Sequence, residues 1–210
     1  MLAHGTSDRL YGSPNMDSTT GAASGGRVAA DPAVVCRLTE LFTREPELIL
    51  AYLEAHEPPA DAHNASVDTI LAAACQATNQ RPTYADIHYY TARAALQANQ
   101  IATAGELLQT ALQLNPHYND ALILMARICA ARNEQNAAIN YLHHALYNGA
   151  DYADVHLLLG DLWRQCDQVT LARQAYRRAL DLNANLSAAR RGLETFTRDI
   201  PHGGSHELPA

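Results

Sequence analysis

Lysine is absent from this chain of 210 residues, so all fifteen basic residues are arginines. The formal net charge is −7, and an acidic balance of this size argues against a dedicated nucleic-acid-binding protein. Apolar runs are also short, and the run at 121–126 falls far below the roughly 18–20 residues that span a bilayer. No basic start followed by an apolar stretch opens the chain, so we expect no secretory signal, no membrane span and a soluble cytoplasmic protein.

Cysteine is scarce, and no pair of cysteines has the CxxC spacing. The four positions are Cys36, Cys75, Cys129 and Cys166. All four fall in or at the end of predicted helices, so we expect reduced, structural thiols and neither disulfides nor metal ligands. Cys129 shares a repeat position with Trp163, which predicts that it is part of the core.

Motifs of catalysis are missing as well, because the chain has no glycine-rich phosphate loop, no GxSxG and no HExxH. The ten histidines do not have metal-ligand spacing. His143 and His144 are adjacent and would point about 100° apart on a helix, while Gly203 and Gly204 separate His202 from His206. We therefore predict no enzymatic activity, no metal and no cofactor.

The main positive feature of the sequence is a constant period of about 34 residues, a length typical of stacked helix–turn–helix units. Ala111, Ala145 and Ala179 follow one another at this spacing, and a leucine comes directly after each of them. Further sets of residues also recur every 34 positions, and we call each such set a column. They are Ala104, Ala138 and Ala172; Ala92, Ala126 and Gly160; Tyr84, Tyr118 and Tyr152; Asp86, Asp120 and Asp154; Asn99, Asn133 and Asp167. The sequence therefore predicts repeated helical hairpins.

Each column has a physical reason. Alanine and glycine allow two antiparallel helices to cross closely. The aspartates fall in the first turn of a helix, where a carboxylate meets unpaired N–H groups and the positive end of the dipole. Asn99, Asn133 and Asp167 fall where a first helix should stop, because these residue types tolerate the left-handed conformation that reverses the chain. Pro116 cannot continue a helix and ends one unit.

The spacing within one unit resembles that of a known family. The third unit reads His156-x2-Leu159-Gly160-x2-Trp163, then Ala172-x3-Tyr176 and Ala179. This pattern resembles the tetratricopeptide repeat, although the first-helix tryptophan is missing and alanine replaces two of the prolines. The resemblance covers residues 84–184. It implies an all-α fold, a right-handed superhelical solenoid of three units at about 85–118, 119–152 and 153–186.

The remaining segments are expected to flank this solenoid. Residues 1–30 and 200–210 have the composition of disordered tails. Apolar spacing predicts helices at 34–42, 46–56 and 66–78, so that residues 31–83 form an N-terminal helical cap or a degenerate repeat. The register places Pro58 inside a first helix, which favours the cap. A helix from 186 to 198 would complete the solenoid, with Leu193 and Phe196 covering its open end.

First helices of this family line a concave groove, and the resemblance implies which side chains face it here. The predicted groove residues are Asp86, Tyr89, Arg93, Ile123, Arg127, Leu157, Asp161, Arg164 and Arg191. Apolar residues beside arginines suit an extended or helical segment with apolar side chains and one or two carboxylates. Alternatively, the arginines pair within their own helices, Arg93 with Asp86 and Arg127 with Asp120.

Three functions are compatible with this sequence. The first is a non-catalytic scaffold or adaptor that binds a partner peptide or helix in the groove. The second is a small secretion-type chaperone for an aggregation-prone client, and the third is a self-assembling scaffold. Seven arginines against three carboxylates give residues 164–198 a net charge of +4, which is either a solvated face or a docking patch for an acidic partner.

Overall fold

The computed structural model describes residues 31–54 and 67–198, and within these ranges every regular element is an α-helix. The helices are α1 (Pro32–Arg44), α2 (Leu48–Glu54), α3 (Val67–Gln80), α4 (Ala85–Gln97), α5 (Ile101–Leu114), α6 (Asn119–Ala131), α7 (Gln135–Tyr147), α8 (Ala153–Gln165), α9 (Val169–Leu182) and α10 (Ser187–Arg198). None of them is long and apolar enough to cross a membrane. The predicted tails, the predicted end of the second helix at His56 and the predicted start of the third at Ser66 lie outside the described residues.

Helices α4 to α9 form three successive hairpins, each with its closest packing inside the pair. The first and second helices of each pair are joined by a residue with positive φ: Asn99 at 58°, Asn133 at 59° and Asp167 at 57°. The left-handed turn predicted for this column is therefore confirmed. Gly149, with φ of 89°, makes the corresponding reversal between α7 and α8.

The small-residue columns lie where the helices cross. Ala111, Ala145 and Ala179 are fully buried, as are Ala104, Ala138 and Ala172. The first-turn aspartates also lie where the sequence places them, at the start of α4, α6 and α8. One period of the sequence thus corresponds to one helical hairpin, and the core is built from the same positions in each unit.

At the N-terminal end, α1 packs mainly on α3. Two side-chain hydrogen bonds tie these helices: Thr39 Oγ1 donates to Gln76 Oε1 over 3.0 Å and Thr43 Oγ1 to Gln80 Oε1 over 3.1 Å. The short helix α2 packs on α3 and α4 and buries Ile49 completely. It begins at Leu48, slightly later than predicted, and the division of the chain into domains stays a prediction.

At the C-terminal end, α10 packs on α9 and α8. Leu193 and Phe196 pack against a cluster formed by Ala172, Tyr176 and Ala179, so the predicted covering role of these two residues is confirmed. Without them the apolar side of the last hairpin would face water.

Candidate functional site

A groove with a volume of about 370 Å³ lies between α4, α6 and the start of α8. Its lining residues are Tyr89, Arg93, Leu96, Gln97, Asp120, Ile123, Leu124, Arg127, Tyr152 and Asp154. Four of the nine predicted groove residues are among them: Tyr89, Arg93, Ile123 and Arg127. The groove therefore follows the first helices of the first two hairpins and ends at the third.

The floor of this groove is apolar and rigid. Tyr89 and Ile123 are buried, and Leu96 and Leu124 are half-buried. The ring of Tyr89 packs against that of Tyr118, with 5.0 Å between the ring centroids. Because these side chains are held by their neighbours, a ligand would meet a preformed apolar surface rather than one that must be ordered on binding.

Both groove arginines are held by carboxylates of other helices. Arg93 Nη2 lies 3.0 Å from Glu54 Oε1 of α2, and Arg127 Nη2 lies 3.2 Å from Asp154 Oδ2 of α8. The alternative of pairs within one helix, with Asp86 and Asp120, is therefore wrong. Seven residues span about 10 Å of helix, which is too far for a short aspartate side chain, whereas the adjacent helices are closer.

The third lining carboxylate, that of Asp120, has a different environment. It lies in the first turn of α6, and within the described part of the chain no basic side chain lies within 4.0 Å of it. Its charge reaches the phenols of Tyr89 and Tyr90. Burial, more than this charge, raises the pKa of both tyrosines, while the nearby Arg93 lowers it in part.

Asp86 was predicted to face the groove, but it lies elsewhere in the structure. It does not line the groove, and its carboxylate lies near the phenol of Tyr118. Burial first, and then the charge of Asp86, raises the pKa of Tyr118 far above its usual value. We conclude that Asp86 supports the aromatic floor from outside the groove.

The predicted residues of the third hairpin surround Tyr176 instead of lining the groove. Tyr176 Oη donates to Asp161 Oδ1 over 2.6 Å, and Arg164 Nε donates to Tyr176 Oη over 3.4 Å. Leu157 packs against the same cluster. Burial and the bond to Asp161 raise the pKa of Tyr176 to about 12, so its hydroxyl stays a donor in neutral solution.

Arg191, the last predicted groove residue, is exposed on α10 and also lies outside the groove. The predicted row of nine residues is thus divided between an open groove in the first two hairpins and a packed cluster in the third. The carboxylates that pair with the two groove arginines were not among the nine predicted residues. Glu54 belongs to no repeat, so no register pointed to it, whereas Asp154 shares its column with Asp86 and was open to prediction.

The histidines and cysteines form no cluster of three potential metal ligands with each other or with carboxylates in the described residues. The buried His88 has its Nε2 2.8 Å from the carbonyl oxygen of Pro82, and His156 Nε2 lies 2.7 Å from Asp151 Oδ1. Cys129 is buried, as predicted, whereas Cys36 is exposed and has no structural role in the core.

Comparison with known proteins agrees with this geometry. Residues 95–162 match the family model for the tetratricopeptide repeat. This part of the chain therefore carries tetratricopeptide repeats. Mouse tetratricopeptide repeat protein 21B is 31% identical over 80 residues, which are 38% of this chain but only 6% of the mouse protein. This chain therefore corresponds to a small part of that relative.

Solved structures show the same tetratricopeptide solenoid. MamA superposes with a TM-score of 0.60 at 17% identity, over 63% of this chain and 77% of MamA. PilF of Pseudomonas aeruginosa gives 0.63 at 17% identity, over 78% and 69%. YrrB, described as a tetratricopeptide protein with an unusual peptide-binding site, gives 0.54 at 22% identity, over 57% and 62%. At these identities the likeness shows the fold alone.

Proposed function

We propose that this chain is a non-catalytic interaction module that holds a segment of another protein in the groove between α4, α6 and α8. The observation that carries the proposal is the groove itself: a cavity of about 370 Å³ with an apolar floor and charged side chains at its rim. Concave sites are the usual place for a ligand, because apolar contacts supply affinity and polar groups fix the register.

Helix α2 supports the proposal, since it shows how a short helix packs at this surface. It lies against α4, buries Ile49 and brings Glu54 to the groove-lining Arg93. An apolar anchor and one charged residue about a turn and a half later are the kind of contacts that helix-in-groove recognition uses. A partner segment would extend this arrangement from α4 towards α6 and α8.

Fewer observations support the other predicted functions. The secretion-type chaperone and the self-assembling scaffold stay predictions, because neither the groove nor the ion pairs favour them over an adaptor. A cytoplasmic location also stays a prediction. The non-catalytic character is part of the proposal, and it is supported by the general role of the tetratricopeptide fold.

A crosslinking pull-down from native extract tests the proposal. The bait is the intact chain, compared with Arg127→Glu in the groove and with Arg177→Glu on the exposed surface of α9. Both variants change the net charge equally, so only the position differs. We expect the amount of a specific captured partner to change with Arg127→Glu and to stay the same with Arg177→Glu, while the helical circular dichroism of all three proteins agrees.

Two results would contradict the proposal. If all three proteins capture the same partners in the same amounts, the groove is not the binding surface. If Arg177→Glu alone loses the partner, the arginine-rich C-terminal surface is the docking site, as the sequence alternatively predicts. Light scattering on the pure chain distinguishes these two outcomes from self-assembly, because a self-assembled protein would have a multiple of the 22.8 kDa mass.

A further inference from the structure

The charges along the groove differ in how they are balanced. Arg93 and Arg127 each have a carboxylate within 3.2 Å, supplied by Glu54 and Asp154. Asp120 has no basic partner within 4.0 Å in the described part of the chain, and it lies in the first turn of its own helix, near the phenols of Tyr89 and Tyr90. The N-terminal dipole of that helix amounts to about half an elementary charge, so the carboxylate is balanced only in part.

This arrangement favours one sign of ligand charge over the other. A carboxylate arriving at Arg93 or Arg127 would meet a guanidinium whose charge a neighbouring carboxylate already balances. A guanidinium or ammonium group arriving at Asp120 would meet a carboxylate that no basic side chain of the described residues balances within 4.0 Å. The two arginines and the three carboxylates together carry a net charge of −1, which favours a cationic ligand over an anionic one.

Aromatic and apolar residues complete the surroundings of such a cation. Tyr152 lines the same groove and is exposed, so the face of its ring is accessible to the long side chain of arginine or lysine. Leu96, Ile123 and Leu124 supply apolar surface in the same cavity. A basic side chain with an apolar neighbour would therefore find complementary groups within one groove.

We infer that the segment bound in the groove carries an arginine or lysine that pairs with Asp120, beside an apolar side chain that packs on Ile123 and Leu124. The inference rests on the proposed function and specifies its partner. It replaces the sequence-based expectation of an acidic partner, which assumed that Arg93 and Arg127 were available. Both arginines are paired, whereas the Asp120 carboxylate in the same groove has no basic partner within 4.0 Å among residues 31–54 and 67–198.

The test uses the full chain and an array of randomised dodecapeptides in which acidic and basic residues are equally frequent. We expect the bound peptides to be enriched in arginine or lysine next to leucine, isoleucine or an aromatic residue. The best peptide is then titrated beside a version whose basic residue is replaced by glutamine. The intact chain should prefer the basic peptide by roughly three- to five-fold, as expected of one partly exposed ion pair, and less at high salt.

Variants assign the preference to its residue. In Asp120→Asn the preference for the basic peptide should disappear, and in Asp120→Glu it should persist. Asp68→Asn is the matched control, because Asp68 is also an exposed first-turn carboxylate but lies on α3, outside the groove. Its affinity for both peptides should equal that of the intact chain.

The outcomes distinguish this inference from the proposed function. Enrichment of acidic peptides would overturn this inference and leave the groove as a binding site. Basic peptides whose affinity is unchanged in Asp120→Asn would overturn the assignment to Asp120. An array without any bound peptide, or with binding that Arg127→Glu does not alter, would overturn the inference together with the proposed function.

Discussion

Between α4 and α6 the shared repeat positions line an open groove, whereas in α8 the same positions close around one aromatic ring. Arg127 of α6 and Asp161 of α8 share one repeat position, since they lie 34 residues apart. The side chain of Arg127 is 56% exposed and reaches across to Asp154, while that of Asp161 is 42% exposed and accepts a hydrogen bond from the buried Tyr176. A repeat position thus fixes where a side chain lies and not what it does.

The difference arises at the end of the stack. Tyr176 occupies the column of Leu108 and Leu142, and all three side chains are fully buried. The larger ring is accommodated because Gly160 replaces the alanine of the other units, and Gly192 of α10 lies against the ring as well. Helix α10 packs on this hairpin, and the apolar side of the hairpin is covered by Tyr176 together with α10.

Of the changes that test this comparison, removal of the Tyr176 ring should have the largest effect on stability. We expect Tyr176→Ala to lower the free energy of unfolding by about 3–5 kcal/mol, because a fully buried aromatic side chain is lost and α10 loses its contact. Tyr147→Ala is the matched control, since Tyr147 is 87% exposed and should change stability by less than about 0.5 kcal/mol. Urea titrations would measure both, and equal midpoints would contradict the central role of Tyr176.

Adding one methyl group should have the next largest effect. A Cβ atom at Gly160 or Gly192 would lie 2.6 Å from ring atoms of Tyr176, and the ring is fully buried. We expect Gly160→Ala and Gly192→Ala each to destabilise the fold by about 1–3 kcal/mol. Thermal unfolding would measure the loss.

A glycine in an open position provides the control. A Cβ atom at Gly105 in α5 would lie no closer than 3.7 Å to its nearest neighbour, a side-chain atom of Arg132, so Gly105→Ala should stabilise the protein by about 0.5–1 kcal/mol. The double variant Gly160→Ala/Tyr176→Leu restores the pair of residues found in the other units. Its destabilisation should be smaller than the sum of the two single variants, and simple additivity would argue against the ring as the cause.

Alkaline pH should affect the packed region through the same tyrosine. The pKa of Tyr176 is raised from 10.0 to about 12, so the folded state keeps the proton longer than the unfolded state does. Its contribution to stability is therefore complete below pH 10 and is lost as the pH rises towards 12. Tyr176→Phe should lose less stability over this range than the intact chain. Parallel curves for both proteins would show that other tyrosines dominate.

The smallest effect on stability should come from the open groove. Arg127→Ala removes an exposed ion pair, and we expect a loss of no more than about 1 kcal/mol that shrinks further in 1 M salt. Peptide binding should nevertheless change, because Arg127 lines the groove. Chemical denaturation at two salt concentrations would measure the stability. A loss as large as that of Tyr176→Ala would mean that the groove is as structural as the region around Tyr176.

The features that the sequence predicts well are local and periodic. Asn99 and Asn133 adopt positive φ because their own residue type allows it, and the alanines are buried because each hairpin repeats the same crossing. Part of the groove followed from the same register, including Tyr89 and Ile123.

The features that escaped prediction depend on contacts between distant residues. Glu54 reaches Arg93 from a helix that belongs to no repeat, so nothing in the repeat register connects the two. Asp161 and Arg164 serve Tyr176 because of an aromatic side chain in another helix. Residue types and spacing determine which face a side chain occupies, but its partner is decided by the identity of the side chain opposite.

The three chain reversals at Asn99, Asn133 and Asp167 have nearly equal φ values, from 57° to 59°. Because these three turns have the same geometry, the solenoid can change its length only by whole hairpins. A whole hairpin can be inserted or deleted between two turns without rebuilding its neighbours, whereas a fraction of a hairpin would put every later alanine out of phase with its crossing helix.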